Sequence, residues 1–169
     1  SSQMPDGGFS YYKGRKSEFY LTLHIIEALA NIRDAGYEVD AAVMEKGGKF
    51  AYGELLQKEI LRKNKDAVIL TAVALSRVSR LQAENIAIRN LVMPIAHDQK
   101  FVNEDSSNVA LASLALLLTG PYSSSLKEDV FKALENRIRI DSRGAYLALH
   151  KDTFLWDYYE TPIKDTALL

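Results

Sequence analysis

His24, His97 and His150 are the side chains one would test first for acid–base or metal chemistry, and their spacing argues against both. They are far apart and share no ligand spacing of the His-x-x-x-His kind. His24 falls in an apolar helical run and reads as a core or rim histidine. His97-Asp98 follows Pro94 in an expected loop, and His150 sits in an expected turn. Glu128-Asp129, and Asp34 with Glu38, read as helix-end electrostatics or solvated faces. A glycosidase needs two opposed carboxylates about 5–10 Å apart in a cleft. Asp6, Asp157 and Glu160, each near aromatic residues, are the carboxylates to examine for such a role. The aromatic set of Phe9, Tyr11, Tyr12, Trp156, Tyr158 and Tyr159 reads either as packing at the rim of a helical barrel or as a binding surface.

Other chemistries lack their residues. The sequence has no cysteine, which removes disulfides, zinc thiolates and cysteine nucleophiles. There is no Gly-x-Ser-x-Gly serine, no phosphate loop and no Asp-x-Asp-Asp motif, and the Gly7-Gly8 and Gly47-Gly48 pairs are too sparse to cradle a nucleotide. The sequence therefore assigns no catalytic, cofactor-binding or metal-ligating residue. The formal net charge of −1 gives no general attraction to nucleic acid or an anionic membrane. Arg62-Lys63-Asn64-Lys65 reads as a solvated turn between helices. The longest apolar runs, near Val68 and Leu111, fall short of the roughly 20 residues that a membrane span needs.

The elements that would position these residues are helices of two kinds. Residues 67–75 and 109–118 are apolar nearly all round and must be wrapped by neighbours. The helix carrying Leu126, Val130, Leu134 and Ile138 among charged residues is one-faced and does the wrapping. That alternation predicts inner and outer layers of an α/α repeat, within one domain covering 1–169. The 47% apolar and 25% charged composition supports a buried core in such a domain.

In chain order, Pro5-Asp6-Gly7-Gly8 is a turn leading into a short aromatic extended stretch. Ser17 is the expected N-cap of a first helix through Leu21, Ile25, Ala28, Leu29 and Ile32, ended by Gly36. Asp40 caps a second helix through Val43, Phe50, Ala51 and Leu55, in which Gly47-Gly48 reads as a site of close packing rather than a kink. Asp66 caps a third helix ending near Leu81. A fourth covers about 83–92, where Pro94 stops or bends it. A fifth runs from Ser106-Ser107 to Thr119-Gly120-Pro121. Ser125 and Glu128 make a capping box for a sixth, to about Arg139. Residues 145–149 and 154–159, flanking His150-Lys151-Asp152-Thr153, read as a β-hairpin near the C-terminus, and Thr161-Pro162 opens a last helix. The apolar starts near Ser17, Asp66 and Ser107 recur about every 40–50 residues, the length of a two-helix repeat unit.

Asp6-Gly7-Gly8-Phe9, Tyr20-Leu21-Thr22 into Ala28-Leu29-Ala30, and Arg33-Asp34-Ala35-Gly36-Tyr37-Glu38-Val39 resemble bacterial α-2-macroglobulin-like proteins. So do Arg143-Gly144-Ala145-Tyr146, Trp156 and Glu160-Thr161-Pro162-Ile163-Lys164-Asp165-Thr166-Ala167-Leu168. The resemblance spans both ends and, more loosely, the helical middle. It implies the α/α toroid of a thioester domain, a protease trap as the parent, and a periplasmic or extracellular location. Partners would be the parent's other domains and, through the full-length protein, target proteases. With no cysteine here, the thioester must lie outside this segment or be missing from the parent. Thioester proteins of the complement type also use a histidine, and the stretch 46–65 holds none. Gln3-Met4-Pro5-Asp6-Gly7-Gly8-Phe9 also looks like the Gln-x-x-x-Gly-x-Trp repeat of terpene cyclases, with Phe9 in the Trp place; shared architecture does not transfer function.

The expectation is a non-catalytic, partial toroid of paired helices with a small C-terminal hairpin. The alternatives are an α/α-barrel enzyme acting on carbohydrate or isoprenoid, and a helical-repeat scaffold that binds protein. The chain stops within an expected helix at Ala167-Leu168-Leu169, which reads as a piece of a larger multidomain protein. Such a piece is expected to expose apolar surface and to dimerise or recruit a partner.

Overall fold

The computed structural model describes residues 2–122, 124–142 and 144–147. These residues are mostly helical, with two small antiparallel hairpins. They fall into two compact units, one up to Leu91 and one from Val92, and the boundary lies within a helix.

The first unit opens with a hairpin of β1 (Ser2–Gln3) and β2 (Phe9–Ser10), which pair Ser2 with Ser10 and Gln3 with Phe9. The turn and the extended stretch at Phe9 were expected; the pairing with β1 was not. Helix α1 (Phe19–Asp34) starts two residues after Ser17 and has no side-chain N-cap; the Ser17 hydroxyl donates instead to Asp6, at 2.7 Å. The buried face of α1 is Phe19, Thr22, Leu23, Ile26 and Ala30, rotated from the expected stripe, so Leu21, Ile25 and Leu29 are half-buried and Ala28 and Ile32 exposed. As expected, the chain turns at Gly36: its N–H bonds the Arg33 carbonyl and that of Tyr37 the Ile32 carbonyl, the paired bonds of a Schellman end.

Helix α2 (Ala41–Gln57) is capped by Asp40, whose carboxylate accepts from the Ala42 N–H at 2.8 Å. It runs unbroken through Gly47-Gly48, and both glycines are buried. Added side-chain atoms would press Gly47 on Ile26 of α1 and Gly48 on the Leu81 and Leu75 side chains. The pair is therefore a place of close approach, as its sequence suggested. Short α3 (Glu59–Lys63) takes in Arg62 and Lys63, which had been read as turn residues. Helix α4 (Lys65–Ser76) is capped by Asn64, not Asp66; the Asn64 side chain accepts from the Ala67 N–H at 3.2 Å. From Asp66 to Leu75 every residue of α4 is buried. The helix stops at Ser76, short of Leu81.

Helix α5 (Gln82–His97) contains Pro94 within its length rather than stopping before it, and buries Ile88, Val92, Ile95 and Ala96. In the second unit a π-helical turn (Phe101–Asp105) leads to α6 (Asn108–Thr119), capped by Ser107. All of α6 except Leu116 and Thr119 is buried, so it matches the all-round apolar pattern. Helix α7 (Lys127–Glu135) buries Val130, Ala133 and Leu134. The expected Ser125–Glu128 capping box is absent: Leu126 occupies the cap position with no side-chain bond.

The sixth expected helix also ends early. Ile138 belongs to β3 (Ile138–Asp141), which pairs with β4 (Gly144–Leu147). The alternation Arg137-Ile138-Arg139-Ile140 sets period 2 before the helical spacing of Ile138 can count. Residues 144–147 are extended as foreseen, but their described partner is β3. The expected partner arm 154–159, the turn at His150 and the last helix lie outside the described residues.

Gly7 has φ +91°, and a Cβ there would stand 2.6 Å from the Lys46 carbonyl oxygen. Gly14 has φ +80° with open space around it. Gly7→Ala is expected to cost about 3 kcal/mol, backbone strain plus the displaced α2 backbone, and Gly14→Ala about 1 kcal/mol, from backbone strain alone. Urea denaturation of both variants checks the difference. Equal losses would show that the turn gives way without disturbing α2.

Candidate functional site

The Asp6-Gly7-Gly8-Phe9 turn between β1 and β2 is held by side-chain hydrogen bonds to the backbone and to α1 and α2. The Asp6 carboxylate accepts from the Gly8 N–H at 3.0 Å and from the Ser17 hydroxyl at 2.7 Å. The Gln3 amide donates to the Gly7 carbonyl at 3.0 Å and across to the Val43 carbonyl on α2 at 2.8 Å. That geometry accounts for the Gln-x-x-x-Gly spacing, because the side chain of the first residue grips the backbone of the fifth. The Phe9 N–H donates to Thr22 Oγ1 at 2.9 Å, and Phe9 itself is buried. A Cβ on Gly8 would meet Ser17 Cβ at 2.5 Å and the Phe50 ring at 2.8 Å. The site is a fastening between the hairpin, α1 and α2, and Asp6 is engaged in that fastening.

Two further polar centres lie in the interior. In the first unit Tyr20 packs edge-on to Phe19, with ring centroids 5.0 Å apart. Burial, and secondarily the Asp66 carboxylate, push the Tyr20 phenol up to about 12. Asp66 is buried in the first turn of α4, where the positive end of the helix dipole favours a carboxylate. In the second unit the Arg137 guanidinium is buried. It donates to the Ser106 carbonyl at 2.8 Å, the Asn108 side chain at 3.1 Å, the Ser106 hydroxyl at 3.0 Å and the Val102 carbonyl at 3.3 Å. Its planar fork satisfies acceptors where the π-helical turn meets the start of α6. Neither centre was foreseen. The only signal for Arg137 was its place in the Arg–Ile alternation.

The residues singled out from the sequence are not brought together. His24 is exposed on α1, so the core reading of it is wrong, and His97 is exposed at the end of α5 rather than in a loop. Asp98 accepts from the Phe101 N–H at 3.1 Å. Asp34 pairs with Arg33 at 2.9 Å and Arg77 at 2.8 Å. The Arg33 hydrogen bond, then the Arg77 and Arg33 charges, hold its carboxyl below the usual range. Glu38 is exposed, and Glu128 and Asp129 occupy the first turn of α7. Buried Phe9 parts from Tyr11 and Tyr12, which are exposed. His150, Trp156, Asp157, Tyr158, Tyr159 and Glu160 lie outside the described residues.

Among the described residues no three metal-ligating side chains gather, and no helix is long and apolar enough to cross a membrane. No family model, curated protein or solved structure matches the chain.

Arg137→Met is expected to cost about 3 kcal/mol, since it strands buried acceptors, and Arg137→Lys should recover less than half because the ammonium lacks the fork. Urea midpoints of the three proteins give the comparison. Tyr20 makes a pH prediction. Below pH 10 the phenol is protonated in the folded and unfolded chains alike. Above it the unfolded chain releases the proton, while the folded chain keeps it to about 12. Stability should therefore fall with rising pH from about 10 to 12, and Tyr20→Phe should flatten part of that fall. An unchanged slope would mean that the phenol is not shielded in solution.

Proposed function

We propose that this chain is a non-catalytic helical segment of a bacterial α-2-macroglobulin-like protease trap, working in the periplasm or outside the cell. Its partners are the other domains of the parent and, through the full-length protein, the proteases that the parent captures. One observation carries the reading. The Asp6-Gly7-Gly8-Phe9 turn, one part of the resemblance, has a structural reason for every residue. Residues given over to close packing and turn geometry suit a framework segment.

The helices support the same reading. α4 and α6 are buried on nearly every side, whereas α1, α2 and α7 bury one face. In a toroid, helices of the first kind form the inner layer and those of the second kind the outer. A wall of this sort excludes water from a reactive acyl group held elsewhere in the parent until a rearrangement exposes it. The segment then acts by burial, and the thioester chemistry belongs to residues beyond it.

The test uses the parent chain extended upstream through its whole domain. Its intact mass and thiol count are measured before and after methylamine. Uptake of one amine with the appearance of one titratable thiol is the expected result. No uptake by the folded parent would remove the acyl trap and leave noncovalent trapping or scaffolding.

A further inference from the structure

Between β2 and α1 the chain leaves the core as a short loop, residues 11–16, in which every residue is exposed. Tyr11 is 53% and Tyr12 75% exposed, and Lys13, Arg15 and Lys16 follow within four positions. Two large aromatic rings and three cations thus stand together on one projection of a chain whose net charge is −1. Among the described residues no ion pair holds any of the three cations. The loop itself carries no acid; of its neighbours, Asp6 is bonded to Ser17 and Gly8, and Glu18 sits at the base.

The loop is held in shape. Its base is closed by the bridge between Phe9 and Glu18, where the Glu18 N–H donates to the Phe9 carbonyl at 2.8 Å. Inside it, the Ser10 hydroxyl donates to the Tyr12 carbonyl and accepts from the Tyr12 N–H, and the Arg15 N–H bonds the Tyr12 carbonyl at 3.2 Å. The backbone that carries these exposed aromatic and cationic groups is thus set before any partner arrives, which lowers the ordering cost of binding.

We infer that loop 11–16 is a docking surface for an acidic peptide segment of a partner protein. Tyr and Arg are the residue types over-represented where interfaces concentrate their affinity, and Arg forms paired hydrogen bonds with carboxylates. A lipid surface fits less well. Three cations give only marginal attachment to an anionic leaflet, and a fluid surface gains little from a preshaped loop. The inference stands apart from the protease-trap reading, because it rests on the loop alone.

The test is an anisotropy titration of the full chain with fluorescein-labelled octaglutamate, with octalysine as the control and phosphatidylcholine–phosphatidylglycerol vesicles in parallel. Saturable binding to octaglutamate alone is expected, weakening at least about fivefold between about 50 and 200 mM salt. Reversal by Lys13→Glu, Arg15→Glu and Lys16→Glu should weaken it at least about tenfold, and Tyr11→Ser with Tyr12→Ser about threefold. The charge-matched reversal Lys63→Glu, Lys127→Glu and Lys132→Glu should leave it within about twofold. No octaglutamate binding, an equal loss from both reversals, or vesicle binding in place of peptide binding overturns the inference. Circular dichroism melts verify folding; if the loop reversal unfolds the chain, the tyrosine variant decides, and unchanged binding by it counts against the proposal.

Discussion

Close approach to α2 is the constraint on which the first unit depends. Four glycines make it possible from opposite directions. Gly7 and Gly8 bring the β-turn onto the Lys46 backbone and the Phe50 ring, while Gly47 and Gly48 admit Ile26 from α1 and Leu81 and Leu75 from α4 and the segment after it. A glycine inside a helix costs about 1 kcal/mol relative to alanine, and two in succession make a helix that its own propensity does not favour. Packing must supply the difference, as it does for most helices in folded proteins. Once α2 is tolerated, its neighbours can seat large side chains against bare backbone, and Ile26, Leu75 and Leu81 are almost wholly buried. The Gln3 amide then ties the hairpin to the Val43 carbonyl, so the N-terminal strand is fastened as well as packed.

The second unit solves a different problem. α6 is so apolar that its first turn and the residues just before it are drawn inside, with Ser106, Ser107 and Asn108 buried. Backbone carbonyls taken from water need donors. Ser107 caps α6 through its hydroxyl, at 3.0 Å from the Ala110 nitrogen, and Arg137 supplies four donor contacts from a residue 29–35 positions away. A guanidinium keeps its charge under burial, so its interaction with these acceptors persists across the pH range in which proteins fold. The early end of α7 follows from the same requirement. A helix continued through Arg137 would send the side chain in the helical direction, whereas the turn after Glu135 sends it into the cluster.

Much of this was legible in the sequence, and the failures have physical causes. The cap at Asp40, the start of α6 after Ser106-Ser107, the stops at Gly36 and Gly120, the close-packed role of Gly47-Gly48 and the all-round burial of α4 and α6 were read from residue type and spacing alone. Cap choice failed where two polar residues competed. Asn64 took the role given to Asp66, and Asp66 went inside beside Tyr20. The α1 face failed because Leu21, Ile25 and Ile32 obey the same periodicity as Leu23, Ile26 and Ala30, and only tertiary packing chooses between adjacent stripes. In the candidate site, Asp6 was seen as a carboxylate near aromatic rings, whereas its work is to hold a turn. Long-range bonds such as Gln3 to Val43 leave no local pattern.

These cases share a direction. In the described part of the chain, polar side chains suited to chemistry are drawn into holding backbone: Asp6 a turn, Thr22 the Phe9 amide, Asp98 the π-helical turn, Arg137 the entry to α6. An arginine surrounded by carbonyl acceptors has little capacity left for a substrate phosphate or carboxylate. Each such assignment stiffens the backbone that it holds. The groups left over face water, in the aromatic and cationic loop between β2 and α1.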